Sequence, residues 1–199
     1  MSKTVIQKQR IFLNDSHLDL YRHFLDSVTA DALFKQLETS LNWKQETLRI
    51  FGKDVLSPRL QSFYGDKGIG YHYSGRTFSA EYWTPELLKL KNQLSECLQH
   101  DFNAVLCNLY RTGEDSMGWH SDNEPELGEA PIIASVSFGE TRNFNLRAIR
   151  QTRQCLSLPL EHNSVIVMPG GFQDRFQHSI SKTKKKVAPR INLTFRQFI

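Results

Sequence analysis

The stretch Arg190-Ile191-Asn192-Leu193-Thr194-Phe195-Arg196 alternates polar and apolar residues without a break. On an extended chain successive side chains point to opposite faces, so four polar residues share one side and Ile191, Leu193 and Phe195 the other. The pattern predicts a β-strand. Working outward, short strand candidates recur at Phe176 to Ile180, Ser164 to Met168, Cys155 to Leu160, Arg142 to Leu146, Ile132 to Phe138 and Phe102 to Tyr110. Gly113, Gly118, Pro125, Gly128, Gly139, His162-Asn163 and Pro169-Gly170-Gly171 punctuate them with turns. Many short strands in series predict a sandwich or jelly roll, a mostly β fold with flanking helices.

The helices come earlier. Ala30, Leu33, Phe34, Leu37 and Leu41 follow helical spacing, which predicts a helix from about Thr29 to Leu41, with Thr29 as N-cap and Asp31 in the first turn. A second helix opens at Thr84-Pro85-Glu86, with cap, first-turn proline and acid in order. It carries Leu87, Leu90, Leu94, Cys97 and Leu98 on one face and is expected to end near His100.

With 199 residues, 39% hydrophobic and 23% charged, the chain is expected to form one domain with a substantial core. No apolar run approaches the roughly 18 residues that a membrane span needs. Nor does Met1 to Arg10 contain the apolar stretch of a signal peptide. Cys97, Cys107 and Cys155 never come close in sequence and read as reduced thiols of a cytosolic protein. A net charge of +4 permits nucleic acid as partner without requiring it. Two basic clusters stand out: Lys182, Lys184, Lys185, Lys186 and Arg190, then Arg142, Arg147, Arg150 and Arg153. The lysine run is equally compatible with a solvated turn.

Trp119-His120-Ser121-Asp122 puts a histidine and a carboxylate at i and i+2, where a strand can turn both toward one ion. His178 is the third candidate. Two histidines and one carboxylate hold Fe(II) while leaving coordination positions open. A closed zinc site would use four ligands, usually with cysteine, and none of the three cysteines is placed for that. An isolated His-x-Asp is common by chance, so the weight falls on its company. Arg190, Asn192, Thr194 and Arg196 form a polar row containing two arginines that suit bidentate capture of carboxylates. Asn108 and Tyr110 repeat the i, i+2 pattern on the strand leading toward His120. Such a row is also what an ordinary solvent face looks like. Metal and arginines together suggest an iron-dependent oxygenase with a dicarboxylate co-substrate.

These motifs resemble the AlkB family of Fe(II)- and 2-oxoglutarate-dependent nucleic-acid dealkylases, with the branch that repairs double-stranded DNA nearest. Asn108-x-Tyr110, His120-x-Asp122, His178, Pro131 to Gly139 and Ala188 to Arg196 carry the likeness, which runs from about Arg49 to Arg196. The resemblance implies a double-stranded β-helix with Fe(II) on His120, Asp122 and His178. It assigns 2-oxoglutarate to Asn108, Tyr110, Arg190, Asn192, Thr194 and Arg196, with Arg190 and Tyr110 at the distal carboxylate. Residues 1–100 would supply nucleic-acid recognition and supporting helices, and residues 101–199 the catalytic core.

A base inside a duplex must be flipped out to react. By resemblance Ile50-Phe51-Gly52-Lys53 is the finger that fills the vacated space, Tyr71 and Tyr73 belong to a lid over the flipped base, and Asn123 and Glu124 touch it. Read alone, Phe51 fits a core position at a strand end, and the tyrosines fit a hydrophobic strand face. The activity implied is oxidative demethylation of N1-methyladenine and N3-methylcytosine in DNA, with O2 consumed and formaldehyde, succinate and CO2 released. The same chemistry on RNA or a protein side chain, and a non-catalytic nucleic-acid binding module, stay open. The chain is expected to act as a monomer in the cytoplasm, on the nucleoid of a bacterium, or in a eukaryotic nucleus.

Overall fold

A computed structural model describes residues 5–13, 15–50, 53–73 and 76–199. The first half contains β1 (Gln7–Leu13), β2 (Ser16–Arg22), α1 (Ser27–Ser40), β3 (Thr47–Ile50), β4 (Lys53–Leu56) and β5 (Leu60–Gly65). It continues with β6 (Gly70–Tyr73), β7 (Arg76–Ser79), β8 (Glu81–Tyr82) and α2 (Pro85–Leu98). The second half contains β9 (Ala104–Tyr110), β10 (Met117–His120), β11 (Ile133–Gly139) and β12 (Arg142–Ala148). β13 (Leu156–Leu160), β14 (Ser164–Met168), β15 (Phe176–Ile180) and β16 (Arg190–Arg196) complete it.

Two sheets make the jelly roll. The larger runs β1-β2-β14-β11-β16-β9-β5-β8 and the smaller β10-β15-β12-β13. β3 with β4 and β6 with β7 form separate two-stranded hairpins. No helix among the described residues is long and apolar enough to cross a membrane.

β16 lies between β11 and β9 at the heart of the large sheet, and all seven of its residues are buried. Ile191, Leu193 and Phe195 pack with Leu37 of α1 and with Leu87, Leu90 and Leu94 of α2. The polar row faces the other way, into the space between the sheets, with Arg190 1% and Arg196 3% exposed. A solvent face is therefore excluded. A second core joins the sheets through Leu18, Leu20, Ile133 and Ile166 on one side and Phe144, Leu146, Phe176 and Ile180 on the other. One apolar layer holds the helices, the other leaves one end of the roll free for polar groups.

The strands read from the sequence fall within two residues of those observed. α2 starts at Pro85 with Thr84 as N-cap, as expected, and ends with Gln99 in the left-handed region. α1 begins earlier than predicted. Its cap is Asp26, whose side chain accepts from the Thr29 N–H at 2.9 Å, so Thr29 lies inside the first turn. Two other readings change. The β1–β2 hairpin, not expected from the sequence, adds two strands to the large sheet. Arg142 is no part of a basic surface: it is buried and donates to the carbonyls of Thr112, Asp115 and Ser181 at 2.6 to 3.2 Å. The lysine run 182–186 packs on the loop after β9, where a Cβ on Gly113 would meet the Thr183 carbonyl oxygen at 2.2 Å. Only glycine allows that approach.

Candidate metal and dicarboxylate site

β10 pairs antiparallel with β15, and a bulge between Met117 and His120 brings His120 opposite His178. Their ring centroids lie 4.1 Å apart. Asp122 lies two residues beyond the end of β10. Its Oδ1 is 3.6 Å from His120 Nε2, and its Oδ2 is 4.0 Å from His178 Nε2. One ligand atom from each residue thus falls within 4.8 Å of the others. Neighbours fix the orientations. His120 Nδ1 lies 2.9 Å from the Gly118 carbonyl, so it carries the proton and leaves the Nε2 lone pair toward Asp122. Phe144 stacks on His178 at 5.1 Å, and the Asp122 N–H donates to buried Gln173 at 3.0 Å.

The charges suit a cation. Burial works to raise the Asp122 carboxyl, but Arg196, with Nη2 at 2.7 Å, and the two histidines hold it well below the usual carboxylate range. Burial pushes the His178 imidazole down to about 3 and lowers His120 too, so both present neutral lone pairs near pH 7. A depressed histidine destabilises the fold as it gains protons, because the unfolded chain binds them first. Stability of the metal-free protein is therefore expected to fall as pH drops from about 6.5, with a slope of up to about 1.4 kcal/mol per pH unit from His178 alone. Unfolding midpoints in denaturant across pH 4 to 7 would read this, and His178→Gln should flatten the slope.

Beyond the triad the cavity wall is polar. Arg190 pairs in register with Tyr110, and Asn192 with Asn108, so the two i, i+2 motifs lie side by side. Arg190 Nη2 donates to Ser137 Oγ at 2.8 Å, and Asn192 Nδ2 to Ser135 Oγ at 2.7 Å. Arg190 Nε and Nη1 are buried and make no close hydrogen bond among the described residues, although the Tyr110 hydroxyl is near enough to favour the charged guanidinium. Its guanidinium lies 5.2 Å from the Tyr110 ring, and burial pushes its pKa down to about 10. A buried cation with two idle donors calls for an anion with paired acceptors. A carboxylate fits this end of the cavity as a metal fits the other.

The cavity collects His120, Asp122, His178, Asn108, Tyr110, Arg190, Asn192, Thr194, Arg196 and Glu124. Glu124 is half-buried, and burial raises its carboxyl pKa. Asn123 is exposed and does not line the cavity. Lys53 is exposed at the start of β4, paired with Ile50. Tyr71 and Tyr73 stand in β6, but their side chains, like Phe51 and Gly52 entire, lie outside the described residues. Sequence reasoning missed Arg59, Gln61, Ser135 and Ser137. The serines alternate along Ile133 to Gly139 and could have been read as a third polar row; Arg59 and Gln61 carry no such signal.

Comparison with known proteins agrees with this geometry. The family model described as the 2OG-Fe(II) oxygenase superfamily matches residues 17–196. The chain is 42% identical over 182 residues to the Bos taurus alpha-ketoglutarate-dependent dioxygenase alkB homolog 3, covering 87% of this chain and 63% of that protein. It is 36% identical over 189 residues to the Homo sapiens DNA oxidative demethylase ALKBH2, covering 90% and 72%. The chain spans just under two thirds of the length of the alkB homolog 3 relatives. The solved structure of OsALKBH1 superposes with a TM-score of 0.68 at 17% identity, over 95% of this chain and 100% of that one, a likeness of fold.

Proposed function

Because this chain belongs to the 2OG-Fe(II) oxygenase superfamily, and within it to the AlkB family, we propose that it removes alkyl groups oxidatively from damaged DNA bases. The favoured substrates are N1-methyladenine and N3-methylcytosine. His120, Asp122 and His178 hold Fe(II), while Arg190, Tyr110, Asn108, Asn192, Thr194 and Arg196 hold 2-oxoglutarate. Bound there, iron with 2-oxoglutarate and O2 supplies oxidation of the carbon on the base nitrogen, which leaves as formaldehyde with succinate and CO2 as the other products.

The chain's part is position and exclusion. His120 and His178 stay neutral and Asp122 ionised, as ligands must be. The idle Arg190 donors grip the far carboxylate, so the diacid enters in one direction. The buried wall of Asn108, Tyr110, Arg190 and Asn192 shields the bound diacid from water. The β3–β4 and β6–β7 hairpins, with Phe51, Gly52, Lys53, Tyr71 and Tyr73, are the elements we assign to the flipped base, together with Asn123 and Glu124. Residues 1–100 then supply recognition and 101–199 the catalytic core. Acting on DNA, the protein would work on a nucleoid or in a nucleus.

The observation that carries this reading is the juxtaposition within one cavity of three ligand atoms inside 4.8 Å and a buried guanidinium with two donors unpartnered among the described residues. Succinate release with Fe(II), ascorbate and 2-oxoglutarate tests it. Release should rise with an N1-methyladenine oligonucleotide over its unmethylated twin. A rise with methylated RNA alone moves the substrate to RNA; none with any nucleic acid overturns the proposal.

A further inference from the structure

The Asn108 amide is gripped at its carbonyl end by two donors. Arg59 Nε reaches Asn108 Oδ1 at 2.7 Å, and Gln61 Nε2 reaches the same oxygen at 3.2 Å. Behind them Ser57 Oγ donates to Gln61 Oε1 at 3.3 Å, and Arg59 Nη1 donates to the Ser116 carbonyl at 3.3 Å. Ser57, Arg59, Gln61 and Asn108 are all buried. Their backbone is clamped: Ser57 N–H donates to Glu46 O at 2.7 Å, and Ser116 N–H to Pro58 O at 2.9 Å.

An amide is nearly symmetric in shape, and a facing Asn–Gln pair bonds equally well with both groups turned over. Serine does not choose either, since a hydroxyl donates or accepts. Arginine does choose, because it has donors and no acceptor. With Arg59 in place Oδ1 must face it, and the Nδ2 donors turn away. Asn108 pairs in register with Asn192 on the cavity wall that also carries Arg190 and Arg196.

We propose that Arg59 is a positioning residue that sets the polarity of Asn108, so that the cavity offers a bound carboxylate an N–H donor instead of a lone pair. This rests on the reading of the cavity as the 2-oxoglutarate site. Gln61 supports the arrangement without deciding it. The direction comes from the one side chain in the chain of bonds that cannot be reversed.

The test is a double-mutant cycle on 2-oxoglutarate affinity, measured by calorimetry on the Mn(II)-loaded protein with thermal midpoints alongside. Arg59→Gln, similar in reach but reversible, should weaken binding about tenfold, the cost of one charge-facing hydrogen bond. Arg59→Lys, again donor-only, should recover most of it. In an Asn108→Ala background Arg59→Gln should add less than about a twofold loss, because there is no amide left to orient. Gln61→Leu should weaken binding by less than about threefold, since Arg59 alone sets the direction. A loss from Arg59→Gln of equal size with and without Asn108, or no loss, overturns the inference: the first would mean that Arg59 acts as a bare charge. A Gln61→Leu loss matching that of Arg59→Gln would overturn it too. Failure of the unaltered protein to bind 2-oxoglutarate would overturn the reading of the cavity itself, an outcome separate from all of these.

Discussion

Asp122→Ala is expected to abolish turnover, with a loss beyond the roughly 10- to 100-fold that removal of an outer-shell partner of a metal site costs. The substitution removes the one anionic ligand and the only acid in the triad. It also has a cost in the metal-free protein. Asp122 Oδ1 sits 2.7 Å from Arg196 Nη2, and both side chains are 4% exposed. Removing one partner from so buried a pair is destabilising by about 3 kcal/mol. His120→Ala should equally abolish metal binding but cost less stability, because its side chain is 24% exposed and makes no buried ion pair with arginine. Both variants should remain folded near pH 7. Mn(II) affinity and thermal midpoint, measured together, separate the two effects. Full activity in either variant would contradict the assignment of the triad.

Arg190→Met is expected to move binding and stability in opposite directions. A truncated partner in a buried charge pair costs about 2–5 kcal/mol of binding, which raises the 2-oxoglutarate KM by about 30-fold to a few thousand-fold. Without co-substrate, however, Arg190 is a fully buried cation with two donors idle among the described residues, and burial has already pushed its pKa down to about 10. Methionine fills similar space without that desolvation cost. The unliganded variant should therefore be at least as stable as the parent. Thermal midpoints with and without 2-oxoglutarate read both: a shift with ligand in the parent, a higher baseline and no shift in the variant. A lower baseline with the shift intact would show that Arg190 is structural.

Much of this site is written in the sequence because β9 and β16 are coded on both faces. Val105, Cys107, Leu109, Ile191, Leu193 and Phe195 pack with the helices while Asn108, Tyr110 and the polar row of β16 line the cavity, with Leu106 the apolar exception on the cavity wall, so alternation reports most of the fold and the site at once. The same signal could not separate a solvent face from a lined cavity. That needed a second layer, the β10–β15–β12 sheet, which sequence spacing does not reveal. β1 was illegible for a physical reason: it is an edge strand whose first four residues, Gln7 to Arg10, are exposed and polar. β2 alternates only over Leu18-Asp19-Leu20 before Tyr21 breaks the pattern, too short a signal to mark a strand, although Leu18 to Tyr21 are all buried.

Arg59 and Gln61 were missed because their role depends on register, Gln61 opposite Asn108, and on a bend at Pro58 held by the Ser116 N–H. Arg142 misled in the opposite sense: it sits among arginines in the sequence but is spent on three backbone carbonyls. The α1 cap was misplaced since Asp26 and Thr29 are both good caps, and the apolar spacing begins only at Ala30.

The most direct measurement is the mass of a duplex oligonucleotide carrying a single N1-methyladenine after incubation with the protein, Fe(II), ascorbate and 2-oxoglutarate. The expected result is loss of one methyl-equivalent mass, absent without 2-oxoglutarate and absent with Asp122→Ala. An unchanged mass in the duplex and in the matching single strand, from protein that binds metal and 2-oxoglutarate, would contradict DNA demethylation by this chain.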